Sequence, residues 1–134
     1  MWPDNDYAVF QWALDRGSPN ERRGLSADDV RECFARLGPL CIEVHADSCG
    51  VSWSQLLIWR NREGMARVQI DEHRDHTGRD PKRSGMRGEV DGFPDGDGGW
   101  YTMPAADAVT SEQASAVLES WLAGGQWWSG LIWD

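Results

Sequence analysis

Apolar residues recur along this chain at two different periods, and each change of period marks an element. Near the start, in NDYAVFQWALDRGSP, Tyr7, Phe10, Ala13 and Leu14 recur at helical spacing. Asp4 or Asn5 can cap that segment, and Gly17 with Pro19 can stop it, so a helix is predicted. A second helix is predicted in SADDVRECFARLGP. Ser26 caps it, Asp28 and Asp29 suit its positive end, and Val30, Cys33, Phe34 and Leu37 form one stripe before Gly38 and Pro39. The third is TSEQASAVLESWLAGG. Thr110 and Gln113 have capping-box spacing, Val117, Leu118, Trp121 and Leu122 make the apolar face, and Gly124 supplies the exit.

Between the last two helices the period shortens to two. LCIEVHA places Leu40, Ile42 and Val44 on one face, and MARVQID points Ala66, Val68 and Ile70 inward. WSQLLIWR is apolar on both faces, as a central strand is, and NREG joins it to MARVQID as a hairpin turn with Gly64 at its end. Shorter strands are predicted at RGEVDGF and GWYTM, and WWSGLIWD is expected to join the sheet after the third helix, with Leu131 and Trp133 sealing that helix onto the core. The order argues for an α+β domain: a mostly antiparallel sheet of about five strands with helices packed on one face. It occupies 1–134 as a single unit, with N-terminal helices in 1–38 and the sheet, a long loop, a helix and the final strand in 39–134. For Trp53, Trp59, Trp121, Trp128 and Trp133, all on apolar faces, a core role is expected.

The segment 71–99 is too long and polar for an ordinary connection, and loops of that size are usually functional or mobile. Its first half is basic through Arg74, Arg79, Lys82, Arg83 and Arg87, and its second is acidic through Glu89, Asp91, Asp95 and Asp97. The two halves can pair with each other or face a partner. Charge is segregated along the whole chain as well. Residues 1–87 carry 14 acidic and all 13 basic side chains, whereas residues 88–134 carry 8 acidic and none basic. Most of the formal charge of −9 therefore lies in the last third. Such a field repels nucleic acid and anionic membranes and attracts basic surfaces.

No basic-then-apolar leader opens the chain, and no run approaches the roughly 18 apolar residues of a membrane helix, so a cytoplasmic protein is expected. Cys33, Cys41 and Cys49 are odd in number and fit neither a disulfide framework nor a metal-ligand pair. His73 and His76, with Asp71 and Asp75, suggest metal ligands, but a Gly- and Arg-rich loop is a poor scaffold for fixed coordination. DGDGG lacks the ligand series of a calcium loop. A nucleophile elbow and phosphate-cradling glycine motifs are missing, and carboxylates on a glycine-flanked loop are solvated rather than tuned for acid–base work. The expectation is a non-enzyme with no cofactor and no metal.

Within PAADAVTSEQASAVLESWLAGGQWWSGLIWD, a proline-flanked entry, a capped helix, a glycine exit and a last strand ending in Trp are carried by Val109, Glu112, Leu122, Gly124, Leu131 and Trp133. This pattern resembles the C-terminal signature of the first of the numbered immunity-protein families of bacterial polymorphic toxin systems. VSWSQLLIWRNREGMARVQIDE resembles that family's central hairpin, so the likeness covers residues from about 40 to 134. Where the family usually carries Pro or a basic residue after the helix, this chain has Gln126, Trp127 and Trp128. The resemblance implies a small α+β inhibitor that binds a cognate toxin domain, in several relatives a nucleic-acid deaminase.

Charge and resemblance converge on one expectation. A toxin acting on nucleic acid needs a cationic groove, and an acidic surface can occupy it. Asp71, Glu72, Asp91, Asp95 and Asp97, with the aromatic pair Trp100 and Tyr101, are the expected contact residues, the rings supplying buried area and the acids steering. The expected partner is a basic toxin domain bound 1:1 by a monomer. An acidic regulatory or adaptor domain without a toxin is the alternative.

Overall fold

The computed structural model describes residues 7–12, 19–35, 40–48, 52–72, 78–79, 81–82, 86–94, 100–123 and 128–133. Its elements are β1 (Tyr7–Trp12), β2 (Pro19–Leu25), α1 (Ala27–Ala35), β3 (Leu40–Ser48), β4 (Ser52–Arg60), β5 (Ala66–Glu72), β6 (Gly78–Arg79), β7 (Pro81–Lys82), β8 (Glu89–Pro94), β9 (Trp100–Pro104), a 3-10 turn (Ala105–Asp107), α2 (Ser111–Leu122) and β10 (Ile132–Trp133). Five longer strands and the two-residue β6 form one antiparallel sheet in the order β2-β1-β3-β4-β5-β6. This is the α+β architecture that the sequence predicts.

The core lies between the sheet and the two helices. Ile42, Val44 and Ala46 of β3, Leu56 and Ile58 of β4, and Ala66, Val68 and Ile70 of β5 are all buried on one face. Val30 and Cys33 of α1 and Val117, Leu118, Trp121 and Leu122 of α2 pack onto them. Trp121 has no exposed surface, and its indole N–H donates to the Ser54 hydroxyl at 2.9 Å, which in turn donates to the Asp71 carbonyl at 3.2 Å. The one polar atom that the largest core side chain brings inward is thus hydrogen-bonded, as burial demands. Both helices are capped as predicted. Thr110 and Gln113 form a reciprocal capping box on α2. On α1, the Asp29 amide donates to the Ser26 hydroxyl and the Ser26 amide donates to the Asp29 carboxylate.

Two predictions are corrected, and one strand is found that the sequence pattern does not predict. The first segment is not a helix but strand β1, so the N-terminal region supplies strands as well as a helix to the domain. Tyr, Val, Phe and Trp favour a pleated surface, and both edges of β1 are hydrogen-bonded, to β2 and β3. The spacing of Tyr7 and Phe10 matches a helix by coincidence, and the rest of that predicted helix lies outside the described residues. Its partner β2, PNERRGL, carries no apolar alternation. It is an edge strand marked by Pro19, Arg22, Arg23 and a left-handed Gly24 (φ 67°), features that discourage further pairing. Finally, β10 does not join the main sheet. It pairs with β7 in a separate two-stranded ribbon, and Trp128, Leu131 and Trp133 are half-buried against the core rather than sealed within it.

Among the other tryptophans predicted inside, Trp59 is half-buried, and the Trp53 side chain lies outside the described residues. Cys33 and Cys41 are buried, and Cys49 lies outside the described residues. Among the described residues no helix is long and apolar enough to cross a membrane.

Candidate protein-binding groove

Alternation along β4 sends Leu56 and Ile58 to the helices and Trp59 to the opposite face. A second, smaller core forms there. Trp59, Met65, Val90 and Tyr101 surround the buried Phe93, Met103 and Ala108, so the β8–β9 hairpin is packed against the β4–β5 turn.

Asn61 joins the two. Its side chain is buried, with Oδ1 accepting from the Glu63 amide at 3.0 Å and the Met65 amide at 2.9 Å, while Nδ2 donates to the Asp91 carbonyl at 3.1 Å. One amide thus shapes the turn and fastens β8 to it. At the end of the turn Gly64 holds φ at 85°, and its carbonyl accepts from the Ser111 hydroxyl at 2.7 Å, tying the turn to the start of α2.

The register of β8 with β9 shifts between Val90 and Phe93, setting Asp91 and Gly92 opposite Thr102, with Gly92 at φ 82°. This bulge places Val90 and Phe93, three positions apart, on the same inward face. Asp91 is left exposed on the outer side, where Trp100 and Thr102 of β9 are also exposed. Arg62, Glu63, Asp91, Trp100, Tyr101 and Thr102 line an open groove of about 420 Å³. A second depression of about 480 Å³ shares Glu63, Asp91 and Thr102 and adds Glu89. The Arg62 guanidinium lies 4.4 Å from the centre of the Trp100 ring, within cation–π range. Tyr101 turns inward against Phe93, their ring centres 5.8 Å apart.

The residues expected at the contact surface therefore divide. Asp91, Trp100 and Tyr101 are brought together at the turn end of the β4–β5 ribbon. Asp71 and Glu72 sit at its other end. Asp71 pairs with Gln55, six residues along β4 from Asn61, a separation of about 20 Å at strand rise. The Asp71 carboxylate is half-buried and accepts from the Gln69 amide at 3.1 Å. A surface running from Asp91 across to Asp71 and Glu72 is thus not one patch, because the extended strands hold its two parts apart. Asp95 and Asp97 lie outside the described residues, as do His73, Asp75 and His76.

Sequence reasoning missed Asn61, Arg62, Glu63 and Thr102. The turn NREG is legible, but nothing in it says what the turn packs against. Gly92 within EVDGFP is the one visible hint of a bulge. No protein-family model, curated protein or solved structure matches the chain.

Proposed function

We propose that this protein is an immunity-type inhibitor that binds a basic toxin domain, such as a nucleic-acid deaminase, through the groove between the β4–β5 turn and the β8–β9 hairpin. The observation that supports this reading most is the composition of that groove. Glu63, Asp91 and the exposed Trp100 share it, on a chain whose residues 88–134 carry eight acidic side chains and none basic. Carboxylates steer a cationic surface inward, and an exposed indole supplies the desolvated area on which binding energy concentrates. The protein acts as a monomer in a 1:1 complex, in the cytoplasm of the cell that makes the toxin, by covering the toxin's substrate groove. It performs no chemistry of its own.

The test is calorimetric titration with the C-terminal domain of the polypeptide encoded immediately upstream, at two salt concentrations. Nanomolar affinity that weakens with salt, and that Asp91→Lys reduces at least tenfold, is the expected result. Absence of binding overturns the toxin reading and leaves an acidic adaptor domain.

A further inference from the structure

Trp100 is an unusual place for a large ring. The chain fully buries Trp121, yet leaves Trp100 42% exposed on the outer side of a two-stranded hairpin. What covers part of the ring is the guanidinium of Arg62. Among the described residues two other arginines stack on rings, Arg67 on Trp59 at 5.0 Å and Arg23 on Phe10 at 5.7 Å, but those rings are half-buried. The Arg62 contact is the closest of the three and lies over the most exposed ring.

The charges around it are unbalanced. Glu63, Glu89 and Asp91 are all exposed and line the two adjoining depressions. Among the described residues none of the three enters an ion pair, and Arg62 pairs with no carboxylate either. Arg62 thus holds the ring face, and among the described residues no cation takes the carboxylate oxygens beside it. A planar guanidinium suits both parts of such a site, stacking on the indole and offering a fork of N–H donors to a carboxylate. A lysine ammonium, compact and strongly hydrated, satisfies only the charge.

We propose that the groove is an arginine-binding subsite in which Arg62 acts as an internal stand-in ligand. An arginine side chain of the partner displaces Arg62 from Trp100, stacks on the indole and is held by Asp91 and Glu63. This rests on reading the protein as a binder of a basic partner, and it names the side chain that the groove selects. An exposed cation–π contact is weak, so Arg62 is readily displaced, but it discourages loosely held cations from settling on the ring.

The test uses the full chain and two short peptides, Gly-Arg-Gly-Arg-Gly and Gly-Lys-Gly-Lys-Gly, with binding read from the Trp100 indole N–H resonance. Arg62→Ala is expected to tighten the arginine peptide about two- to five-fold, the size of the contact no longer broken. Losing a positive charge strengthens any cation, so the lysine peptide is the control, and its gain must be smaller. Trp100→Leu, read from backbone amide shifts of residues 89–92, is expected to remove the gain in the Arg62→Ala background. Asp91→Asn weakens the arginine peptide in either background, and all variants are first checked for an unchanged thermal midpoint. Equal gains for both peptides, or a gain that survives Trp100→Leu, overturn the subsite. Tight toxin binding alongside such a failure leaves the inhibitor reading standing. Arginine selectivity without toxin binding does the reverse.

Discussion

Asn61 shows how one side chain sets a site that it does not occupy. It is buried and satisfies two turn amides and the carbonyl of Asp91, so Asn61→Ala strands three backbone groups at once. Each unsatisfied buried group costs about 1–3 kcal/mol, and part of that is recovered where water reaches the turn. A loss of about 2–4 kcal/mol in urea unfolding is expected, with weaker partner binding because β8 is no longer held to the turn. A loss under about 0.5 kcal/mol would show that the turn holds its shape without the amide. At this scale the sequence was legible where residue type and spacing decide a role, as for Thr110 and Gln113 in the capping box. Asn61 and Arg62 were not legible, because their roles come from the β8–β9 hairpin, Asn61 meeting Asp91 of β8 and Arg62 meeting Trp100 of β9 across thirty residues or more.

At the scale of elements, legibility followed the strength of the local signal. The strands β3, β4 and β5 and the helix α2 carry clear periods and good caps, and the short strands β8 and β9 lie where they were expected. The strands β1, β2 and β10 were misread or missed, because each is specified by what it pairs with rather than by its own pattern. The cap of α1 offers a test by pH. The Ser26 amide, and then the Ser26 hydroxyl, hold the Asp29 carboxyl below the usual carboxylate range. A depressed pKa contributes stability above the unfolded value, near 3.9, and loses it as pH falls through the folded one. The Tm difference between the protein and Asp29→Asn should therefore stay constant from pH 7 to about 5 and change only below about 4. A difference that drifts across the neutral range would assign the cap to another group. Beyond its cap, α1 is joined to α2 by Arg31, which donates from Nε and Nη2 to the two oxygens of Glu119 at 2.7 and 3.0 Å. On an exposed surface this aligns the helices more than it stabilises them.

For the whole molecule, net charge and groove are separable influences on binding. Asp71→Lys and Asp91→Lys change the overall charge equally, but the two positions lie about 20 Å apart along the ribbon, more than twice the screening length of about 8 Å at physiological salt. Both substitutions should slow association with a basic partner at low salt. Only Asp91→Lys should also hasten dissociation at physiological salt, as stopped-flow mixing and dilution will show. Equal effects on dissociation would place Asp71 in the contact after all.

The pairing of β10 with β7 has a consequence in time. Residues 81–82 find their strand partner only at 132–133, fifty positions later, whereas β4 meets β5 across a turn of five residues. At a synthesis rate of about 5–20 residues per second, β7 waits roughly 3–10 s for its partner after leaving the ribosome. During that interval Trp121 is still arriving, and the apolar face of β3, β4 and β5 has no α2 to cover it. The nascent chain thus spends seconds as a meander that α1 alone covers, and chaperone capture of newly made chains should peak there and decline once α2 and β10 have packed.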